Sequence, residues 1–212
     1  MAEGASTGGP ELLPRIYLIT DAAFARFVPV ALAALPAGAA LVQLRDKSLP
    51  ARELLRLARA LLPICRAHQA KLLVNDRGDI ALAASADGVH LPADGLAVPE
   101  ARALLGPSAL VGVSCHTADE VARAGSSGAS FCVFGPVWET PGKGPPRGVA
   151  ALAAAARASS IPLFALGGVD ARSAPLALAA GAHGVACIRA VLAAVDPGAA
   201  ARALWNALGS RP

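Results

Sequence analysis

The chain has 212 residues, 55% of them hydrophobic and 16% charged, with a formal net charge of +4. That length fits one domain burying about 70% of the surface its unfolded form exposes, and the composition excludes a disordered chain. Lys and Arg are scattered singly or in pairs, which argues against a nucleic-acid partner and makes any bound anion a small one.

Residues 1–14 carry Glu3 and Glu11 among Gly and Ser, without a basic start or an apolar stretch, and read as a flexible tail before a single domain over 15–212. Cys65, Cys115, Cys132 and Cys187 lie far apart with no CxxC spacing, as expected of reduced core residues in a cytoplasmic protein. The uncharged stretch from Phe27 to Leu44 is split by Pro36 and Gly38 into a helix and a strand, so no membrane span is expected.

In chain order, a first strand is expected over Arg15 to Thr20, then a helix begun by Asp21 and ending near Pro36, and a second strand over Ala39 to Arg45. From Pro50 to His68, Leu54, Leu57, Ala58, Leu61, Leu62 and Cys65 recur at helical spacing. Strand Lys71 to Val74, helix Asp79 to Ala84, strand Gly88 to Leu91 and helix Val98 to Leu105 follow. Next come strand Leu110 to Ser114, helix Thr117 to Ala124, strand Phe131 to Phe134, a loop rich in Gly and Pro, and helix Val149 to Ala158. Strand Pro162 to Ala165, helix Ala171 to Ala180, strand Val185 to Ile188 and helix Pro197 to Leu208 complete the pattern.

About eight short apolar strands alternate with about eight helices, as strands buried on both faces of a parallel sheet do. Ala37-Gly38-Ala39, Ser127-Gly128-Ala129 and Ala180-Gly181-Ala182 each end a helix on Gly, the residue suited to a left-handed C-cap. The count predicts a single (β/α)8 TIM barrel, with a doubly wound open sheet as the alternative.

In a barrel the active site gathers where the strands end, and polar residues gather there. Gln43, Arg45, Asp46 and Lys47 follow the second strand, Asn75, Asp76 and Arg77 the third, His90 and Asp94 the fourth, Ser114 and His116 the fifth. Thr140 and Lys143 follow the sixth, Gly167-Gly168 the seventh and Arg189 the eighth, while the opposite ends carry almost only Gly, Ala, Ser and Pro.

Gln43-x-Arg45-x-Lys47 puts three side chains on one side of an extended segment, where they can grip a polyanion together. Asn75-Asp76 supplies an amide and a carboxylate, enough to begin a Mg2+ site that shares phosphate oxygens, although the same pair serves as a turn. Gly167-Gly168 lets backbone N–H groups approach a ligand and, with the turn after Ile188, would form a phosphate cradle. His116, beside Ser114, is placed to act as an acid or base near neutral pH. His68 and His183 read as surface residues, and His90 is undecided. No P-loop, zinc spacing or serine-nucleophile elbow is present. The chemistry implied is binding of a small phosphorylated ligand, with Mg2+.

Read in order, Gln43-Leu44-Arg45-Asp46-Lys47, Val74-Asn75-Asp76-Arg77, Ala86-Asp87-Gly88-Val89-His90-Leu91, Gly112-Val113-Ser114-Cys115-His116, Gly135-Pro136-Val137-Trp138-x-Thr140-x-x-Lys143, Leu166-Gly167-Gly168-Val169 and Gly181-Ala182-x-Gly184-Val185 resemble the thiamin phosphate synthase and thiazole tautomerase family. The resemblance runs from Arg15 to Ile188 and implies a TIM barrel. In the synthase branch, hydroxymethylpyrimidine diphosphate is joined to a thiazole phosphate through a pyrimidinylmethyl cation, giving thiamin phosphate and pyrophosphate.

The resemblance implies that Gln43, Arg45, Lys47, Asn75 and Lys143 bind the diphosphate substrate, with Ser114 near the leaving pyrophosphate and Thr140 among the substrate-binding residues. Gly168, Ile188 and Arg189 would hold the thiazole phosphate, Asp76 and Asp94 the Mg2+ cofactor, and Arg45, Lys143, Ser114 and His116 would carry the catalysis. Two positions depart from the synthase pattern: in His90-Leu91-Pro92-Ala93-Asp94-Gly95 the second acidic residue is displaced by one, and Gly142 stands where a second Thr is usual. The expectation is a synthase acting on small phosphorylated pyrimidine and thiazole substrates, with a homodimer compatible and no nucleic-acid or membrane partner. A metal-independent thiazole tautomerase using His116 is the alternative, and a non-catalytic phosphate-binding barrel the second.

Overall fold

Eight short strands whose apolar residues point alternately two ways bury both faces when helices cover one face and the strands close on the other. In the computed structural model, which describes residues 13–209, they do so. Strands β1 (Ile16–Thr20), β2 (Ala40–Leu44), β3 (Lys71–Asn75), β4 (Gly88–Leu91), β5 (Leu110–Cys115), β6 (Phe131–Phe134), β7 (Leu163–Leu166) and β8 (Gly184–Cys187) form a closed barrel in sequence order. Closure is parallel, with Leu18 of β1 opposite Cys187 of β8.

Helices α1 (Val28–Ala33), α2 (Ala51–Ala67), α3 (Gly78–Ala84), α4 (Val98–Leu105), α5 (Ala118–Ser126), α6 (Gly148–Ala158), α7 (Ala174–Ala179), α8 (Arg189–Leu192) and α9 (Pro197–Ala207) connect the strands and close the chain. One set of strand residues, including Ile16, Leu18, Val42, Leu72, Val74 and Val89, packs outward against the helices. The alternate set, Tyr17, Ile19, Leu41, Leu73, Phe131, Val133, Phe164 and Ala186, fills the barrel. Its centre is an aromatic plug: Phe131 meets Tyr17 edge-on at 5.3 Å between centroids and Phe164 at 5.4 Å. Gly38, Gly128 and Gly181 have φ of 76°, 85° and 95°, the left-handed backbone expected of helix-ending glycines.

Several expectations are corrected. The helix expected from Asp21 is a 3-10 turn (Ala25–Phe27) followed by α1, because Asp21 Oδ1 accepts the Phe24 N–H in a local turn and the α-helix begins only before Pro29. Helix α7 begins at Ala174 rather than Ala171, since Asp170 Oδ1 accepts the N–H groups of Arg172 and Ser173. The short α8 was not expected at all; four residues carry no readable period. Residues 1–12 of the expected tail lie outside the described residues. Leu13 already packs beneath the plug, and its carbonyl lies 2.7 Å from His183 Nε2. His183 is thus no surface residue: its ring meets Phe164 edge-on at 5.4 Å. The stretch from Phe27 to Leu44 is α1 and β2, and no helix among the described residues is long and apolar enough to cross a membrane.

Candidate functional site

Strand alternation decides which residues reach the C-terminal mouth of the barrel. Above the plug, the inward-facing positions are Ile19, Gln43, Asn75, His90, Ser114, Val133, Leu166 and Ile188, and all eight line one cavity of about 310 Å3. Extending the same alternation past the strand ends adds Arg45, Lys47 and His116, so the three side chains of the Gln43-x-Arg45-x-Lys47 segment do face one space. Asp94, Thr140 and Lys143 complete the rim.

The loop after β6 arches over this mouth. Its ends are pinned, Arg147 N–H to Pro136 O at 2.8 Å and Gly148 N–H to Val137 O at 3.1 Å, while residues 141–147 are exposed. Thr140 Oγ donates to Trp138 O at 3.0 Å, and Lys143 N–H to Thr140 O at 3.1 Å, which sets the rim position of Lys143. The base of the arch rests on β7: Val137 N–H bonds Leu166 O and Trp138 N–H bonds Gly167 O. Gly168, with φ of 64°, sits so close under it that a Cβ would stand 2.7 Å from Glu139 O.

Asp46 does not enter the cavity but holds its neighbours in place. Its Oδ1 accepts from Ser48 N–H, Ser48 Oγ and Leu49 N–H, and its Oδ2 from Ala22 N–H at 3.1 Å, tying the β2 loop to the β1 loop. Those bonds, Ser48 Oγ first, hold the Asp46 carboxyl below its ordinary pKa.

The deeper groups are buried and neutral. Gln43, 1% exposed, donates from Nε2 to the phenol oxygen of Tyr17 at 2.9 Å, and burial pushes the Tyr17 pKa up, keeping the phenol protonated. His90, 3% exposed, places Nε2 2.9 Å from Ser114 Oγ. Burial, and secondarily the Arg45 guanidinium, push its pKa down to about 3, so the ring is uncharged near neutral pH. His116 is anchored differently: its Nδ1 donates to Gly135 O at 2.7 Å, and its backbone N–H is held by the Glu120 carboxylate. A neutral His116 therefore has its Nε2 lone pair free for the cavity.

The remaining expected residues lie around this space. Asp76, in a left-handed backbone conformation with φ of 64°, is exposed beside the mouth and does not line the cavity. Its carboxylate makes no hydrogen bond or ion pair among the described residues. Gly168 and Arg189 also lie outside the lining, at the ends of β7 and β8, and Arg189 is exposed. The backbone N–H groups of Gly168 and Ile188 have no hydrogen-bond partner among the described residues. Tyr17 and His90 are the residues that motif reading passed over or left undecided. The period of two in β1 and β4, with Leu18, Val89 and Leu91 facing the helices, is the signal that assigns both to the interior.

The expectation of bland opposite strand ends fails. A larger cavity of about 540 Å3 lies there, lined by Arg66, Lys71 and Asp87. Its charges are spent on the fold: Lys71 Nζ lies 3.9 Å from Asp87 Oδ1, and Asp87 Oδ2 accepts the Leu72 N–H. The smaller cavity collects the unspent cations.

The closed parallel barrel, with a polar inward layer at its C-terminal mouth, defines a TIM barrel whose candidate site lies where the strands end. Residues 16–191 match the family model described as thiamine monophosphate synthase, and the chain belongs to that family. It is 50% identical to a putative thiamine-phosphate synthase of Geobacter sulfurreducens, over 92% of this chain and 95% of that protein. It is 42% identical to a thiamine-phosphate synthase of Roseiflexus castenholzii, over 92% and 89% of the two chains. Among solved structures, the thiamine phosphate pyrophosphorylase of Pyrococcus furiosus superposes with a TM-score of 0.83 at 30% identity, covering 93% of this chain and 96% of that one. A 3-hexulose-6-phosphate synthase, with a TM-score of 0.69 at 21% identity, shares the fold.

Proposed function

We propose that the protein is a thiamine-phosphate synthase, joining hydroxymethylpyrimidine diphosphate to hydroxyethylthiazole phosphate in the cytoplasm. The observation that carries the reading is the convergence of Arg45, Lys47 and Lys143, from two different loops, on one small cavity whose inner wall mixes Gln43, Asn75, His90 and Ser114 with the apolar Ile19, Val133, Leu166 and Ile188. A diphosphate is the ligand that needs three cationic grips together.

In the proposed reaction the bond between the pyrimidine methylene carbon and the diphosphate oxygen breaks, and its electron pair leaves with pyrophosphate. The thiazole nitrogen then donates its lone pair to the methylene carbon, and the positive charge passes to the thiazolium ring. Arg45, Lys47 and Lys143 stabilise the negative charge that grows on the leaving oxygens, with Ser114 Oγ as a neutral donor. Ile19, Val133, Leu166 and Ile188 keep water from the cation between departure and capture. The free N–H groups of Gly168 and Ile188, with the first turn of α8, receive the thiazole phosphate.

Mg2+ fits the donor set. Asp76 offers an unpaired hard-oxygen carboxylate and Asp94 lies on the cavity rim, although no group of three or more acidic, His or Cys residues suited to a metal exists among the described residues. One or two carboxylates plus substrate phosphate oxygens is how Mg2+ is usually held. The ion would add positive charge at the pyrophosphate.

The test is direct: purified protein, Mg2+ and both substrates should yield thiamine phosphate. No product at high enzyme concentration, beside a working control, overturns the proposal.

A further inference from the structure

One buried polar contact in the cavity is left unbalanced. His90 Nε2 meets Ser114 Oγ at 2.9 Å, but His90 Nδ1 is buried with no hydrogen-bond partner among the described residues. A neutral imidazole carries its proton on one nitrogen only, so the surroundings of Nδ1 decide what Ser114 receives.

Those surroundings are apolar. A Cβ built on Gly112 would stand 2.7 Å from His90 Nδ1 and 2.4 Å from Phe131 Cζ, so the glycine and the ring edge of Phe131 share the space around Nδ1. Tyr17 and Phe131 flank the imidazole at 5.7 and 6.1 Å between centroids. An N–H placed at Nδ1 would lose its solvation and gain no acceptor, whereas a lone pair there leaves no buried donor unsatisfied. The proton therefore belongs on Nε2, where Ser114 Oγ accepts it. With one lone pair of Oγ occupied by His90, the hydroxyl proton of Ser114 is turned towards the cavity.

We infer that His90 is a positioning residue: by donating from Nε2 to Ser114 Oγ it fixes the serine as a hydrogen-bond donor to an anionic oxygen of the ligand. The inference rests on the proposed synthase reading for the identity of that oxygen, the leaving pyrophosphate, but not for the direction of the hydrogen bond. Burial of the ring in the uncharged form agrees with it.

Two experiments separate the inference from the function it rests on. Side-chain 15N NMR of the ligand-free protein between pH 6 and 8 reads the tautomer without any turnover. A His90 signal protonated at Nε2 and bare at Nδ1 is expected; the reverse pattern overturns the inference even if thiamine phosphate is formed. The second is a mutant cycle on turnover. Ser114→Ala should lower kcat about 100-fold, as loss of one donor to developing negative charge does. His90→Leu should lower kcat about 10-fold with KM nearly unchanged, and should cost nothing further in the Ser114→Ala background. His90→Gln, whose amide can donate from the same place, should restore kcat to within about 3-fold. Equal losses from His90→Leu in both backgrounds, or no loss in either, overturn the inference. If His90→Leu does not fold, His90→Gln decides: a loss as large as that of Ser114→Ala overturns the donor role.

Discussion

The backbone of Gly95 lies so close to Asp76 that a Cβ added to the glycine would stand 3.0 Å from Asp76 Oδ1. The loop that follows β4 therefore packs on the acid that follows β3, and Asp94, next to that glycine, is carried to the same corner of the mouth. If these two carboxylates hold Mg2+, Asp76→Asn should cost more than the roughly 10- to 100-fold in metal affinity that loss of an outer partner costs. Gly95→Ala, whose Cβ would press on Pro92 at 2.8 Å as well as on the same carboxylate, should raise the Mg2+ concentration needed for half-maximal rate more than it lowers the rate at saturating Mg2+. Titrating activity with Mg2+ after chelator treatment checks both. An Asp76→Asn enzyme with an unaltered Mg2+ response would remove that residue from the site.

Lys143 reaches the cavity from an exposed loop, while Arg45 is half-buried below it. Hydrogen bonds from charged groups contribute about 1.5–3 kcal/mol, so Lys143→Ala should reduce kcat/KM for the diphosphate substrate by about 10- to 150-fold. The KM for the thiazole phosphate should change far less, because the cradle proposed for that ligand is made of backbone N–H groups past β7 and β8 rather than of the lysine. Steady-state kinetics with each substrate varied in turn makes the comparison, and an equal loss for both substrates would contradict the division.

Where the residues lining this cavity fall is largely legible in the sequence, because an eight-stranded parallel barrel places the residues that follow its strands around one mouth. Arg45, Ser114 and Thr140 all fall where the strand count put them, although the count misjudged the other end, where Lys71 and Asp87 pair. What the motifs did not reveal was depth. His90 and Tyr17 are ordinary residues in a strand until the period of two is read against neighbours such as Val89 and Leu18, whose outward direction only a closed barrel fixes. Gln43 lines the cavity as the motif suggests, and one of its amide N–H groups also bonds Tyr17, a partner 26 residues away that no local spacing indicates. Asp46, inside the same motif as Arg45 and Lys47, proves to be the residue that holds the loop.

Gly168 tests the phosphate cradle. With φ of 64° and Glu139 O at 2.7 Å from any Cβ, Gly168→Ala strains the backbone and pushes against the β6 arch. Binding of the thiazole phosphate should weaken at least 10-fold, a loss of about 1.4 kcal/mol or more, while the fold persists because the change lies in an exposed turn. Calorimetric titration with the thiazole phosphate, alongside a thermal melt, separates the two effects. Unchanged affinity would place the phosphate elsewhere.

His90 should also leave a mark on stability. Its pKa, ordinarily near 6.5, falls to about 3 in the folded protein, so between those values the unfolded chain binds the proton and the folded chain does not. Stability from this group is complete above about pH 6.5 and declines as pH falls towards 3, by up to about 1.4 kcal/mol per unit for the one proton. Asp46, Asp79 and Asp170, whose pKa values are held down chiefly by bonds from Ser48, Arg77 and Ser173, add their losses only lower, through the carboxylate range. The window from pH 6.5 to about 5 lies above the range in which those three carboxylates contribute. Urea midpoints measured across that window should fall with pH in the wild type and stay flatter in His90→Gln, which has no proton to gain. Parallel curves for the two proteins would mean that the imidazole is hydrated or paired in solution, contrary to its buried place beside Ser114.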